Sequence, residues 1–336
     1  MKMTPQNQMI GSSPHSDLAG ASRGLSFLWL SGSGILAPEM PPVRRTVRAR
    51  LLPGDIICAD SGDALQRGLI VKIEPHSGAQ TVIASAGHLR VPFGLAIDRK
   101  GHIIVSDSGR LIRIAPETGL QTIIADQNSP GRLGFACGLA ASHEGDILAA
   151  NLREIVRVDP ATGQSRSVST GRGFSYALGV TVAGSGDAFV LNIASRPEII
   201  RVNLYNGSQE VLPRGRQLRS PQAIAARGNS IYIADMPVAK SDPGAGRVIH
   251  VNARTGRQSV LSEGKHLTAP TAIAVDSDGQ IIVGQACTAY GRRPSAVERG
   301  IIGIDPSTGA QSVISRGQGR LLNPHGMAVV PATLFP

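Results

Sequence analysis

The chain predicts an all-β fold, a six-bladed propeller of four-stranded blades, with the ring closed by the C-terminal strand pairing with the N-terminal blade. Three observations carry that prediction. The segments PFGLAIDRKGHIIVSD, ACGLAASHEGDILAAN, ALGVTVAGSGDAFVLN, PQAIAARGNSIYIAD and PTAIAVDSDGQIIVGQ align directly, and a sixth copy is split between PHGMAVV at the carboxyl end and GDIICAD near the amino end. The acid or amide that closes the second strand recurs at Asp60, Asp107, Asn151, Asn192, Asp235 and Gln285, in steps of 47, 44, 41, 43 and 50 residues. A second register, the glycine of a later turn, recurs at Gly78, Gly119, Gly163, Gly207, Gly256 and Gly309. Periods of about 40 to 50 residues with four short strands each are the mark of propeller blades.

Within each unit the elements follow in a fixed order. The first strand carries Ala or Gly at Gly94, Gly138, Gly179, Ala223, Ala272 and Gly326, as an innermost strand converging on an axis requires. A tight turn such as DRKG or SHEG leads into an apolar second strand, as in HIIVSD, which ends on the acid or amide. The third strand, as in IVRVDP, reaches the glycine turn, and a fourth, as in SVISRG, completes the blade. Forty glycines and 22 prolines supply the turns, while aromatic residues are only 3%, so aliphatic side chains must pack the sheets. The split copy predicts that residues 324–330 add to residues 54–60, which removes an exposed sheet edge.

Residues 1–53 stand outside the pattern, and composition predicts disorder over residues 1–23. The apolar stretch 24–37, GLSFLWLSGSGILA, has the shape of a weak signal-peptide core, which would direct the protein to the periplasm or outside the cell; without that role a cytoplasmic location is expected. No stretch approaches the roughly 18 apolar residues of a membrane span. Cys58, Cys137 and Cys287 have neither disulfide nor zinc spacing and read as small buried hydrophobes. Residues 54–336 are expected to form one monomeric ring.

Charge is unevenly placed. The net charge is +10, and the loops joining one unit to the next carry Arg90, Arg132, Arg172, Arg214, Arg216, Arg219, Lys265, Arg316 and Arg320 against only Asp126 and Glu263. A propeller brings these loops to one face, together with the loops between second and third strands. That second set adds Arg67, Arg153, Arg196, Lys240, Arg247, Arg292, Arg293 and Arg299, diluted by Asp63, Glu154, Glu198, Asp242 and Glu298. A cationic rim around an axial pocket concentrates anions. The sequence therefore predicts ligand-binding residues at Arg90, Arg132, Arg172, Arg216, Arg219, Lys265 and Arg320, for an anionic small molecule or protein. The long loops Asp235 to Arg247 and Gln285 to Gly300 would set specificity. Nucleic acid is a third possible partner, although few aromatic stacking platforms, such as Phe93, Phe135, Phe174, Tyr176 and Tyr290, lie near these loops.

The units, and GLAIDRKGHIIVSDSGRLIRIAP in particular, resemble NHL repeats and the six-bladed propellers of the gluconolactonase and senescence-marker-protein family. The resemblance covers residues 54–336 and implies a fold that hosts lactonases, esterases, lyases and binding scaffolds alike. Those lactonases hold one divalent metal at the axis through residues just before an innermost-strand glycine. Here those positions are Phe93, Cys137, Leu178, Gln222, Thr271 and His325, of which only His325 is a credible ligand, and none supplies the carboxylate a hard cation favours. Propellers like virginiamycin B lyase use a His pair, a Glu and magnesium; His325 matches one His, and His266 is the nearest second imidazole. His325 is therefore the candidate catalytic residue.

The six strand-end residues have two readings. Short acids and amides there bond the backbone of the following turn; alternatively they ring the pocket as oxygen ligands, with Asp60, Asn151, Asn192 and Asp235 holding one divalent cation, calcium or magnesium. Three short matches carry no weight: GSGILA lacks the strand and helix of a dinucleotide site, DSDG at Asp276 aligns with an ordinary turn, and Asn206-Gly207-Ser208 aligns with the glycine turn.

Overall fold

The structure, a computed structural model, describes residues 49–62, 68–129, 133–171, 173–213, 215–236, 246–286, 300–317 and 320–334. The segment 24–37, the stretches 237–245 and 287–299 of the two long loops, and Cys287 lie outside the described residues. Six four-stranded antiparallel sheets form the body, and among the described residues the only helical element is the short 3-10 turn Ala332–Leu334. No helix of the described residues is long and apolar enough to cross a membrane.

The innermost strands are Pro324–Val329 in blade one, Pro92–Ile97, Leu139–Ala141, Ala177–Val182, Pro221–Arg227 and Pro270–Val275 in blades two to six. Small residues sit where these strands touch. A Cβ on Gly94 would lie 2.2 Å from the carbonyl oxygen of Cys137 in the next blade, and one on Gly326 would lie 2.5 Å from that of Phe93. Any side chain there would push neighbouring blades apart.

Closure follows the split sixth copy. Pro324–Val329 pairs with Ile56–Asp60 in one sheet, with Ile56 opposite Val329 and Cys58 opposite Met327. The seam extends by two further bonds, Gly54 N–H to Val330 O and Val330 N–H to Asp55 O, each 2.9 Å.

The core is not a single centre but six apolar wedges, one between each pair of adjoining blades. Because successive strand residues point to opposite faces, the second strand of blade one sends Ile56 and Cys58 toward Ile282 and Ile301 of blade six. Its alternate residues, Ile57 and Ala59, meet Ile103 and Val105 of blade two. Second strands are therefore buried on both faces, as Ile103–Asp107 and Ile147–Asn151 are throughout. This double burial explains their continuous apolar runs, and each buried isoleucine contributes about 1.5–3 kcal/mol. Ala49 and Leu51, within the stretch expected to stand outside the repeats, are buried in the wedge with Ile97 and Val330.

Blades are also tied together at the outer rim by a device built on the glycine turns. Gly78 has φ 67°, and a Cβ there would lie 2.2 Å from the carbonyl oxygen of Ile314 in blade six. Two residues later, Gln80 Nε2 donates to Ser315 Oγ at 2.9 Å, while that hydroxyl donates to Gly78 O at 2.6 Å. The same triangle recurs as Gln209, Ser169 and Gly207, and again as Gln311, Ser262 and Gly309. Gln121 fills the position in blade two by bonding Ala86 O and the N–H of His88. Asp276 Oδ1 accepts from the N–H groups of Asp278 and Gln280, an ordinary closed turn.

Candidate functional site on the joining face

Five of the six loops entering an innermost strand bury one apolar side chain, Leu89, Leu133, Phe174, Leu267 or Leu321, and the sixth half-buries Leu218. The next two residues turn their N–H groups toward the end of the second strand, and there the strand-end side chains receive them. Asp107 Oδ2 accepts from Arg90 and Val91 at 2.6 and 3.1 Å. Asn192 Oδ1 accepts from Ser175 and Tyr176 at 3.0 and 3.1 Å, and Asp235 Oδ1 from Arg219 and Ser220 at 3.0 and 2.7 Å. Gln285 Oε1 accepts from Thr268 and Ala269 at 2.7 and 3.2 Å, and Asp60 Oδ2 from Leu322 and Asn323 at 2.7 and 2.9 Å. Asp60 Oδ1 also takes the Gly62 N–H at 2.7 Å.

Asn151 differs: among the described residues its buried Oδ1 has no hydrogen-bond partner, although Nδ2 donates to Glu154 Oε1 at 2.8 Å. So of the four residues read as candidate metal ligands, Asp60, Asn192 and Asp235 spend oxygens on backbone amides, and only Asn151 keeps a carbonyl oxygen uncommitted. No group of three or more His, Cys, Asp or Glu among the described residues is arranged to hold a metal ion.

The strand-end residues also have cross-strand partners that the sequence reading did not single out. Asp235 faces Arg247, and Asp107 faces Arg110. Asn151 faces Glu154, and Asn192 faces Glu198, which accepts from Asn192 Nδ2 at 3.0 Å. In these four blades acid stands opposite arginine and amide opposite glutamate, whereas Asp60 faces Leu69 and Gln285 faces Gly300. Arg247 is 2% exposed and joins Asp235 and Gln217 O, so it is a buried structural cation rather than part of a charged surface. Burial pushes the Asp235 carboxyl up from its ordinary value, and Arg247 and the two N–H groups pull it back.

At the axis, Phe93, Leu178, Gln222 and His325 line a mouth of about 50 Å³. His325 stacks on Phe93 with ring centroids 4.6 Å apart and planes inclined by 16°. Burial pushes the His325 imidazole down to about 4, so it is neutral at pH 7. The Cys137 thiol, 3.5 Å from the Tyr176 hydroxyl, is driven up to about 11 by burial, and Tyr176 also rises, chiefly through burial. Thr271 Oγ1 donates to Pro324 O at 2.6 Å. Below the mouth, Leu95, Leu139, Val180, Ile224, Ile273 and Met327, one from each blade, form a ring shared with a wider cavity of about 240 Å³ toward the opposite face.

Of the predicted cationic rim, Arg90, Arg216, Arg219, Lys265, Arg316 and Arg320 are exposed on joining loops. Arg132, Arg172 and Arg214 lie outside the described residues, as do Arg67, Lys240, Arg292, Arg293 and Arg299. Arg320 Nη1 donates to Gln80 O at 2.9 Å across the closure seam. His266, the candidate second imidazole, is exposed on its loop, with its N–H on Gln311 Oε1 at 2.9 Å.

No family model matches the chain, and no curated protein does. Solved structures do. The chain is similar to a chain in the crystal structure of a nidogen/laminin complex, at 17% identity over 82% of this chain and 97% of that one, with a TM-score of 0.63. At that identity the likeness shows the fold alone, and 997 chains of solved structures match, so the fold does not select a function. The protein is a six-bladed propeller.

Proposed function

We propose that the protein is a binding scaffold whose joining face captures an anionic partner through cations on its loops. The observation that carries this reading is the contrast between spent and unspent groups. Asp60, Asp107, Asn192, Asp235 and Gln285 each commit one side-chain oxygen to two backbone N–H groups, while Asp107 Oδ1 is buried with no hydrogen-bond partner among the described residues. Arg90, Arg216, Lys265 and Arg316 are exposed, and no hydrogen bond or ion pair of their side chains occurs among the described residues. Loops on a rigid frame that keep unpaired cations favour recognition of anions. The Phe93 and Tyr176 rings are partly covered, which offers poor stacking platforms and places nucleic acid behind an acidic protein or small anion. Binding of a glutamate-rich peptide is expected to weaken steeply from low to high salt and to be lost in the Arg90→Glu, Lys265→Glu double variant. Salt-independent affinity would end this reading.

A second reading, a lactonase or lyase acting at the axis, is favoured by two observations: the neutral imidazole of His325 and the unpartnered oxygen of Asn151. It requires calcium or magnesium with ligands among Asp60, Asn151, Asn192 and Asp235. Elemental analysis of dialysed protein should then find stoichiometric metal, with lowered occupancy in His325→Ala and Asn151→Ala; full occupancy in both variants would remove the axial site.

A further inference from the structure

We infer that the anion captured on the joining face is an acidic segment of a partner protein, docked at the junction of blades one and two with one apolar side chain set against Val91 and the Phe93–His325 stack. This rests on the anion-binding reading above and narrows it to one place and one class of partner.

Topology makes the place. The loops from blade six to one and from blade one to two are neighbours on the rim, and they lead directly into the strands carrying His325 and Phe93. They present Arg316, Arg320 and Arg90, all exposed. The strand-end acids Asp60 and Asp107, which receive the N–H groups of these loops, are 0% and 1% exposed, so their carboxylates do not lie on the surface as ion-pair partners for these arginines. Val91 is 53% exposed and stands beside Arg90, two residues before Phe93. It is the large apolar side chain that the described joining face leaves open; the other exposed ones, such as Leu120, Tyr205 and Val260, lie on outer strands or opposite turns.

The size of the mouth selects the partner. Small-molecule sites occupy roughly 300–1,000 Å³, whereas the axial mouth offers about 50 Å³. It has room for the tip of one side chain, not for a ligand buried on its own. An extended segment lying over the rim fits the observations: its carboxylates pair with the guanidinium forks of Arg90, Arg316 and Arg320, and one aliphatic side chain covers Val91 and the edge of the stacked rings.

The test is fluorescence anisotropy at low salt with two glutamate-rich peptides, identical except for leucine or glycine at the centre. The leucine peptide is expected to bind on the order of tenfold tighter, as burial of one aliphatic side chain provides. Val91→Ser should erase that advantage and leave the glycine peptide's affinity unchanged. Arg90→Glu with Arg320→Glu should abolish binding of both peptides. Arg216→Glu, on the rim across the axis, should change either affinity by no more than about twofold. Circular dichroism melts of each variant confirm that it is folded. Equal affinity of the two peptides, or an Arg216→Glu effect as large as that of Arg90→Glu, would overturn this inference while leaving anion capture intact. If neither peptide binds wild-type protein, both fall.

Discussion

His325 shows how a single residue's chemistry depends on what surrounds it. In sequence it is a histidine before a glycine, suited to bind metal or move a proton. In the fold it lies against Phe93 in a narrow mouth, and burial holds it neutral down to about pH 4. The linkage has a definite sign: a histidine whose folded value is depressed supports stability above its unfolded value, near 6.5, and that support is lost as pH falls toward 4. We expect wild-type protein to lose up to about 3 kcal/mol more stability between pH 6.5 and 4 than His325→Phe does. His250, also lowered by burial, contributes equally to both proteins and cancels in the comparison. Denaturant titrations at the two pH values measure the difference, and parallel losses would show the imidazole to be solvated. The strand-end acids and amides teach a similar lesson. Their period is plain in the sequence, but whether their oxygens face a metal or two backbone N–H groups depends on a loop that starts in another blade.

At the turn between second and third strands, blades four and five carry a pairing code. Asp235 with Arg247 and Asn192 with Glu198 are alternative solutions to the same problem, a buried strand-end side chain that must hold two loop amides and still satisfy its remaining atoms. Asn192→Asp is expected to set a carboxylate against Glu198 and cost roughly 2–4 kcal/mol. Adding Glu198→Arg should recover at least half, because it recreates the pairing of blade five. Chemical unfolding of the single and double variants supplies the coupling energy, and simple additivity would refute the code. The outer-rim triangles belong to this scale too. The glycine register was legible as turns; its further use, with Gln80, Gln209 and Gln311 reaching the serine of the preceding blade, was readable only as a glutamine two residues after five of the six glycines, Gly163 being the exception. Nothing in one unit alone explains that glutamine, since its serine partner is 40 and 49 residues away for Gln209 and Gln311 and across the closure seam for Gln80.

For the whole molecule, stability depends on a closed ring. Six wedges each need two blades, so an open ring would expose the faces of blades one and six, including Ile56, Cys58, Ile282 and Ile301. Removing residues 321–336 takes away the innermost strand of blade one, the seam bonds to Asp60, and the Arg320 contact to Gln80 weakens with them. The truncated chain is expected to lose its single cooperative melt in calorimetry; a sharp transition at the wild-type temperature would mean that the seam adds nothing. By itself, the sequence determined the number of blades, the order of strands and the closing partner, because those follow from alternation and turn residues that each unit repeats locally. Only the tertiary structure decided which polar groups are spent and which remain available. A side chain's hydrogen-bond partners and its exposure are set in part by the adjoining blade, whose facing strand lies about a full repeat away along the chain.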